Sequence, residues 1–368
     1  MIVKKISLIP LRIPLVEPFI ISLGPLTHAE NVFVKMELDD GSIGWGECSP
    51  FRSIHGENIA TCMAIGKEIA AQFINCEVTT PDRLLQLMDR AVYGNTSIKS
   101  AFDIAFHDLL SRRKEIPLYK FLGGTSTRTL FTDYTVSLSS LEKMTADALK
   151  IISNGFPVVK VKLGGTPTED VERIQAIRTA IGDDIPIRID ANQGWNLSGA
   201  TIALNEMKQL KIQVCEEPLP RWKYHELPLL RQAINIPLMA DESCFDEHDA
   251  QKLITLQACD GFNIKLGKSS GIVRAQRIAE LAKNNNILLQ VGGFLESRLG
   301  FTAAAHFAMA HPSINYIDFD TPLMFTEDPV EGGITYGNNG RITLSDRPGL
   351  GAGLKPDSFQ ENDQIIVQ

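Results

Sequence analysis

Residues 156–165, FPVVKVKLGG, read as a short β-strand that carries two lysines within it. Side chains alternate across a strand, so Lys160 and Lys162 point to the same face. On a solvent-exposed face this pattern would be ordinary. Inside a barrel, it would place two cations side by side where an unpaired charge is costly. The rest of the chain decides between these two interpretations.

Strand-like segments of this kind recur along the second part of the chain. Successive segments end 24 to 28 residues apart, which is the length that a strand, a helix and two loops need. Eight strands close a TIM-type barrel. An open doubly wound sheet is the alternative, but no G-x-G-x-x-G turn follows an early strand here. We therefore predict a TIM-type (β/α)7β barrel whose strands end near Thr135, Lys162, Asp190, Glu216, Asp241, Lys265, Val291 and Asp318.

The N-terminal third of the chain has a different pattern. Strand-like NVFVKMEL (31–38) and GSIGWGEC (41–48) precede helical text such as IKSAFDIAFHDLLSRRK (98–114). This order predicts an α+β domain over residues 1–125, followed by the barrel over residues 126–324.

Composition limits the class of protein and its partners. The 368 residues carry a formal charge of −8, with 44% hydrophobic residues, as in a globular protein. No basic tract is present, so nucleic acid is not an expected partner. Six cysteines without a CxxC pair indicate reduced thiols, and residues 1–19 contain no uninterrupted apolar segment. We expect a cytoplasmic protein without a membrane span, and a homo-oligomer is compatible with the sequence.

Three consecutive barrel strands end in a carboxylate. The active site of such a barrel lies at the carboxyl ends of its strands, so Asp190, Glu216 and Asp241 should converge there. A single aspartate after a strand is usually a helix cap or turn residue, but three in the same place of successive repeats favour a shared function. Oxygen ligands without histidine or thiolate suit a hard cation, and we predict one Mg²⁺ ion per subunit.

The lysines at the strand ends suggest the chemistry. Lys160 and Lys162 would face the barrel interior near the metal, with Lys265 roughly opposite on the sixth strand. Burial and neighbouring positive charge should lower the pKa of Lys162 and make it a base. With Mg²⁺ stabilising an enediolate, one lysine could remove an α-proton and the other return it on the opposite face. The alternative is that the lysines only pair with the carboxylates.

These motifs resemble the enolase superfamily, in its muconate-lactonizing-enzyme subgroup. The matching segments are GWGEC (44–48), KVK (160–162), RIDANQGW (188–195), CEEPL (215–219), MADES (239–243) and NIKLGK (263–268). The resemblance implies that residues 1–125 form a capping domain, completed by a C-terminal tail over about 325–368. It also implies that Asp190, Glu216 and Asp241 bind Mg²⁺, that Lys162 and Lys265 are the two bases, and that Lys160 contacts the substrate carboxylate.

The eighth strand separates the reactions of the subgroup. YIDFDTPL (316–323) places Asp318 and Asp320 two residues apart, on one face at the barrel mouth. Two carboxylates suit a free ammonium group, and this D-x-D resembles the motif of dipeptide epimerases, of which the L-Ala-D/L-Glu epimerases are the best-known type. The alternative is that Asp320 only caps the turn before Pro322.

The segment EPFIISLGPLTHAE (17–30) indicates the substrate side chain. The resembled Ala-Glu epimerases carry an arginine in this loop, at a position near Gly24 of this chain, which has no Lys or Arg between Glu17 and Glu30. The alternative is that His28 or Lys35 reaches into the site. We therefore predict an Ala-Xaa dipeptide with a hydrophobic second residue such as Val, Leu or Phe. Gly24, Thr135 and Gly293 are also predicted to line the substrate site. The apolar side chains expected to form a lid are Phe19, Ile21, Leu23 and Leu26.

Other functions use the same lysines and carboxylates. An L-Ala-D/L-Glu epimerase, an o-succinylbenzoate synthase and an N-acylamino-acid racemase are the rival enzymes, and the last two need no ammonium-binding pair. A dipeptide-binding protein without catalysis is the rival of another class. The presence of both Lys162 and Lys265, with all three metal carboxylates, argues against it.

Overall fold

The N-terminal region forms an antiparallel sheet covered by helices. The computed structural model describes residues 2–77, 79–125 and 128–368. The elements of this region are β1 (Val3–Ile21), β2 (Gly24–Leu38), β3 (Ile43–Cys48), α1 (Ile59–Phe73), α2 (Pro81–Ala91), α3 (Thr96–Arg113) and α4 (Leu118–Phe121). Alternate apolar side chains of β1 and β2 pack with α1–α3 in a core of their own.

Two glycines of the GWGEC motif allow this sheet to meet α3 closely. A Cβ at Gly46 would lie 1.9 Å from the backbone oxygen of Ala101, and one at Gly44 would lie 2.1 Å from that of Ala105. Any side chain at these positions would therefore push α3 away from β3. The motif has a packing role in the capping domain.

The predicted barrel is confirmed. In the part of the chain that the structure describes, eight parallel strands form one sheet in chain order, and seven helices alternate with them. The elements are β4 (Leu130–Phe131, outside the barrel sheet), β5 (Tyr134–Val136), α5 (Leu141–Ser153), β6 (Val159–Lys162), α6 (Pro167–Ile181), β7 (Ile187–Asp190), α7 (Leu197–Glu206), β8 (Ile212–Glu216), α8 (Leu227–Ala233), β9 (Leu238–Ala240), α9 (Glu247–Leu256), β10 (Gly261–Lys265), α10 (Ile272–Asn284), β11 (Leu288–Gly292), α11 (Arg298–Ala310) and β12 (Ile314–Ile317). Short 3-10 turns span Met207–Gln209, Arg221–Glu226, Thr321–Met324, Pro356–Ser358 and Glu361–Asp363.

Strand β6 answers the question raised by its two lysines. All four of its residues are buried. Val159 and Val161 belong to the hydrophobic core, and the alternation of a strand therefore directs Lys160 and Lys162 to the barrel interior. The interior interpretation is confirmed.

The C-terminal tail contacts both parts of the molecule. Its strands are β13 (Val330–Gly332), β14 (Thr335–Tyr336), β15 (Arg341–Thr343), β16 (Ala352–Leu354) and β17 (Ile365–Val367). Only β17 joins the N-terminal sheet, where it pairs with β1, whereas β15 pairs with β4 and β13–β16 share the barrel core. The predicted boundary at residues 125 and 126 meets residues 126 and 127, which lie outside the described residues, so it stays a prediction.

The segment predicted as a loop over residues 17–30 is instead mostly strand. Strand β1 continues to Ile21, and β2 begins at Gly24, so only two residues form the turn. Phe19, Ile20 and Ile21 pair with Leu26, Pro25 and Gly24 in antiparallel register. Apolar and β-branched residues favour this extended pairing. The segment is therefore a β-hairpin of the capping domain.

Candidate active site

Three carboxylates converge at the carboxyl end of the barrel, as predicted. Asp190 and Glu216 end β7 and β8, and Asp241 directly follows β9. All three are buried, and one oxygen from each lies within 4.8 Å of the others. The helix-cap alternative fails at two of these strands, because α7 and α9 are capped by Asn196 and Asp246.

Lysines from flanking strands contact these carboxylates. The Nζ atom of Lys162 lies 2.6 Å from Asp190 Oδ2, and that of Lys265 lies 2.6 Å from Asp241 Oδ2. Lys160 Nζ lies 2.9 Å from Glu216 Oε2. Lys162 and Lys265 also line a narrow cavity at the barrel mouth. The alternative that these lysines only pair with the carboxylates does not account for this access to the cavity.

Lys160 occupies a deeper position than the other two lysines. Its side chain is 1% exposed, and Nζ donates to Glu216 and to Asp318 Oδ2, the latter at 2.7 Å. Burial lowers the pKa of Lys160, but Asp318, Glu216 and Asp190 outweigh burial and hold it well above its usual range. Lys160 therefore stays charged and links the predicted metal carboxylates to the eighth strand.

Burial and neighbouring charges shift the pKa values of Glu216 and Lys265 in opposite directions. Burial raises the pKa of Glu216, but Lys160, Lys265 and Lys162 outweigh it, so the net pKa lies well below the usual range. Burial lowers the pKa of Lys265, yet Asp241 and Glu216 raise it above its usual value. The lowered pKa predicted for Lys162 stays a prediction.

Several polar side chains hold the carboxylates in place and were not predicted. Asn263 Nδ2 donates to Glu216 Oε1 at 2.7 Å, and Gln290 Nε2 donates to Glu216 Oε2 at 2.9 Å. The sequence could have predicted both residues, because each lies two residues before the end of its strand. Its side chain therefore points to the same, inward face as that of the last strand residue. Lys268, whose Nζ lies 2.5 Å from Asp241 Oδ1, is in a loop, where no periodicity indicates direction.

Asp318 and Asp320 lie together on the wall of the same cavity. Strand β12 ends at Ile317, so both residues follow the strand. Asp320 Oδ2 accepts a hydrogen bond of 2.6 Å from the backbone N–H of Thr135, which also lines the cavity. Among the described residues, the Asp320 side chain forms no capping bond to Thr321–Met324. Burial and then Asp318 raise the pKa of Asp320 to about 7.

Apolar side chains from the capping domain close the cavity. Phe19, Ile21 and Leu26 of the hairpin line it as predicted, whereas Leu23 is 41% exposed. Gly24 lies at the hairpin turn and is not among the described residues that line the cavity, so its substrate contact stays a prediction. Phe51 and Ile54, from a second capping segment, were not predicted. Phe294, Leu295 and Thr321 complete this wall.

Hydrogen bonds fix both capping segments to the barrel. The backbone N–H of Ile20 donates to Ser137 Oγ at 2.6 Å, and Ser22 Oγ donates to the carbonyl of Asn192 at 2.7 Å. Arg221 Nη1 donates to the carbonyl of Ile54 at 2.7 Å. These hydrogen bonds therefore fix the position of the apolar wall relative to the charged groups of the barrel.

Gly293 lines the cavity, and the packing there requires a glycine. A Cβ at this position would lie 2.6 Å from Glu296 Oε2 and 2.6 Å from Phe301 Cζ. A side chain would displace both residues. The predicted contact of Gly293 with substrate stays a prediction.

A larger depression lies elsewhere, on the capping domain. It has a volume of about 610 Å³ and is lined by Arg12, Glu30, Arg52 and the Ser358–Gln360 segment, among others. None of its described lining residues belongs to the two buried carboxylate clusters. The chemistry therefore favours the smaller cavity at the barrel mouth.

Both domains match known family models. Residues 5–123 match the N-terminal domain of the mandelate racemase / muconate lactonizing enzyme family, and residues 143–358 match the enolase C-terminal domain-like family. The fold and the site thus define a barrel enzyme of the enolase type. The chain belongs to the mandelate racemase / muconate lactonizing enzyme family, within the enolase superfamily.

Within this family, the chain is similar to dipeptide epimerases. The D-Ala-D/L-Ala epimerase of Cytophaga hutchinsonii is 50% identical over 367 residues, covering 100% of each chain. The structure of a dipeptide epimerase from the same organism, with Mg and D-Ala-L-Val, has a TM-score of 0.98 at 49% identity over 100% of each chain. A substrate-liganded L-Ala-D/L-Glu epimerase from Bacillus subtilis has a TM-score of 0.92 at 35% identity, covering 96% of this chain and 99% of the other.

These similarities bear directly on the predictions made from the sequence. The predicted resemblance to dipeptide epimerases is confirmed, and so is the predicted enzyme class, an isomerase. The Mg in the homologous complex and the acidic triad of this chain together confirm the predicted magnesium cofactor. Within residues 2–77, 79–125 and 128–368, no helix has both the length and the apolarity needed to cross a bilayer.

Proposed function

We propose that this enzyme epimerises dipeptides by inverting the α-carbon of the C-terminal residue. One observation carries the proposal: Lys162, Lys265, Asp318 and Asp320 line a single cavity. The lysines contact the acidic triad from two sides, through Asp190 and Asp241. A substrate carbon held in that cavity would have an amine on either face and two carboxylates within reach of its N-terminus.

Asp190, Glu216 and Asp241 are the proposed magnesium ligands. Three buried carboxylates with oxygens within 4.8 Å of one another match the hard oxygen donors that Mg²⁺ prefers. When bound, the ion supplies positive charge that stabilises the negative charge developing on the substrate carboxylate as its α-proton leaves. Asn263, Gln290 and Lys160 orient Glu216 for this task.

The two lysines move the proton. The Nζ atom of one lysine removes the α-proton, and the Nζ atom of the other delivers a proton to the opposite face. Because the two amines contact different carboxylates, each can be held on its own side of the substrate. In the reverse reaction, which starts from the other diastereomer, the two lysines exchange these roles.

Asp318 and Asp320 are the proposed ligands of the substrate ammonium group. Carboxylates form strong charge-assisted hydrogen bonds with an ammonium group, and both residues line the cavity. Thr135 aligns Asp320 through its backbone N–H. Lys160 is not among the described residues that line the cavity, so its predicted contact with the substrate carboxylate stays a prediction, and its proposed role is to hold Glu216 and Asp318.

The wall of the cavity favours a hydrophobic second residue. Among its described lining residues, the only cations are Lys162 and Lys265, which already have a role in proton transfer. A glutamate side chain would therefore lack the bidentate arginine that suits a carboxylate. Phe19, Ile21 and Leu26 instead supply an apolar surface. The second residue is Ala in the name of the Cytophaga D-Ala-D/L-Ala epimerase and Val in the dipeptide bound to the Cytophaga structure; both are apolar, in agreement with an Ala-Xaa substrate.

The cellular setting is also a proposal. The six cysteines are free thiols, and five of them are buried, which suits a reducing cytoplasm. A homo-oligomer stays a prediction from the sequence.

Proton NMR in D₂O with Mg²⁺ tests the proposed reaction. With L-Ala-L-Val, L-Ala-L-Leu and L-Ala-L-Phe, we expect the α-proton of the second residue to exchange while a new diastereomer appears. L-Ala-L-Glu should react at least about tenfold more slowly, the effect of an unpaired polar group of about 1.4 kcal/mol. Equal rates for L-Ala-L-Glu would overturn the hydrophobic preference, and the absence of exchange on every dipeptide would overturn epimerisation itself.

The Asp320→Asn variant tests the ammonium ligand. It should lower kcat/KM for L-Ala-L-Leu by about 10- to 100-fold, because a charge-assisted hydrogen bond becomes a neutral one. Mg²⁺ affinity, measured by calorimetry, should change little, since Asp320 is outside the acidic triad. A parallel loss of Mg²⁺ binding would contradict the assignment.

The pH dependence provides a second readout of Asp320. Its carboxyl group, with a pKa raised to about 7 by burial and by Asp318, is ionised above that pH and protonated below it. The kcat/KM for L-Ala-L-Leu should therefore fall as the pH decreases through about 7. The Asn variant should lack this acid limb, and a limb that persists unchanged would assign it to another group.

A further inference from the structure

A third carboxylate lies behind the two aspartates of the proposed ammonium site. Asp133 immediately precedes β5, and one of its oxygens lies within 4.8 Å of an oxygen of Asp318 and of Asp320. The residue is 1% exposed. It is not among the described residues that line the cavity, so any influence on substrate must pass through its neighbours.

The partners of Asp133 account for only one of its oxygens. Arg188 Nη1 donates to Asp133 Oδ2 at 2.9 Å, and Arg188 is itself held by Gln213 Oε1 at 2.8 Å. Among the described residues, Asp133 Oδ1 is buried without a hydrogen-bond donor. An anionic oxygen in this state is costly unless a nearby positive charge compensates for it.

Among the described residues, two cations are in ion-pair contact with this cluster of three carboxyl groups. Asp133, Asp318 and Asp320 face Lys160 and Arg188, and Lys160 is shared with Glu216 at 2.9 Å. With all three carboxyl groups ionised, the cluster would carry excess negative charge next to the cavity, and burial and then Asp318 accordingly raise the pKa of Asp133 well above its usual range although Arg188 opposes them. The N-terminal ammonium of a dipeptide carries the charge that would balance it.

Backbone contacts keep Asp133 in register with the eighth strand. Its N–H donates to the carbonyl of Ile317 at 3.3 Å, and the N–H of Phe319 donates to Thr132 Oγ1 at 2.7 Å. With the bond from Thr135 to Asp320, the two strand ends are joined on both sides of the carboxylates. The spacing of the three charges is therefore fixed by the closure of the barrel.

We propose that Asp133 is a positioning residue for ammonium recognition, whose carboxylate, ionised when the ammonium group binds, strengthens the binding of a dipeptide N-terminus by Asp318 and Asp320. The proposal rests on the proposed function, since it presumes a substrate with a free ammonium group. The competing role is purely structural, with Asp133 serving only as the partner of Arg188. The two roles differ in whether the effect depends on the substrate's charge.

The test compares L-Ala-L-Leu with propionyl-L-leucine, which lacks only the ammonium group. In the Asp133→Asn variant, kcat/KM for L-Ala-L-Leu should fall about tenfold, mainly through KM, because removal of a negative charge next to the Asp318 and Asp320 carboxylates weakens cation binding. Propionyl-L-leucine should react more slowly than L-Ala-L-Leu with the wild-type enzyme, and its kcat/KM should change little in the variant. An equal loss on both substrates would overturn the proposal in favour of the structural role.

The Arg188→Gln variant keeps the proposal testable if Asp133→Asn does not fold. This change removes the cation beside Asp133 while leaving its carboxylate, so the preference for L-Ala-L-Leu over propionyl-L-leucine should increase. A preference that stays equal or decreases would overturn the proposal, and thermal melting separates these effects from unfolding. Failure of the proposed function is distinguishable, because the wild-type enzyme would then leave L-Ala-L-Leu unchanged.

Discussion

Replacing Lys162 by alanine should lower the rate of dipeptide epimerisation by about 10³-fold or more while leaving exchange on one diastereomer. A positioned general acid or base contributes about 10²- to 10⁴-fold, and epimerisation needs both lysines in every turnover. Exchange needs only one, because Lys265 can remove a proton from its own face and return deuterium to the same face. The measurement is α-proton exchange in D₂O, followed separately for L-Ala-L-Leu and L-Ala-D-Leu.

Lys265→Ala is the matched control for that experiment. The two side chains share three features: each is buried, lines the cavity and contacts one carboxylate of the triad at 2.6 Å. The two variants should therefore retain exchange on opposite diastereomers. If both variants retain the same diastereomer, or if either still epimerises at the wild-type rate, the two-base mechanism is wrong.

Glu216→Gln should lower Mg²⁺ affinity by at least about tenfold and reduce kcat by about 10³-fold. The substitution keeps the shape of the side chain but replaces a negatively charged oxygen ligand by a neutral one. Glu216 stays ionised in the wild-type enzyme because Lys160, Lys265 and Lys162 outweigh the effect of burial on its pKa. Calorimetric titration with Mg²⁺ and the Mg²⁺ dependence of kcat measure the two effects.

Asp108→Asn is the control for nonspecific damage by loss of a buried carboxylate. Asp108 is fully buried in the capping domain, where it contacts Arg112 and accepts hydrogen bonds from the N–H groups of Trp45 and Leu350. Its replacement should cost about 1–3 kcal/mol of unfolding free energy without changing Mg²⁺ affinity.

Equal Mg²⁺ affinities in the wild-type and Glu216→Gln enzymes would show that Glu216 is not a ligand of the metal.

The barrel and its charged centre were predictable from the sequence because they depend on local periodicity. A strand fixes side-chain direction with a period of two, and the repeated βα unit fixes where each strand ends. These two rules placed Lys160 and Lys162 inside the barrel. They also brought Asp190, Glu216 and Asp241 to one edge, since the carboxyl ends of parallel barrel strands share a mouth.

The capping segments escaped the same reasoning. Strand pairing of residues 19–21 with residues 24–26 turned an expected loop into a hairpin, and Phe51 and Ile54 reach the cavity from a segment without periodicity. Their approach depends on contacts between residues far apart in the chain. One such contact is the hydrogen bond from Arg221 to the carbonyl of Ile54.

The sequence by itself therefore determined the barrel, its α+β cap and the residue types at each strand end. Only the tertiary structure decided which of these residues share a cavity and which lie behind it. Lys162 and Lys265 line the cavity, whereas Lys160 and Asp133 are buried next to it. The physical reason is that a strand's direction and spacing are local properties of the chain, whereas depth and charge balance arise only when eight strands close around one another.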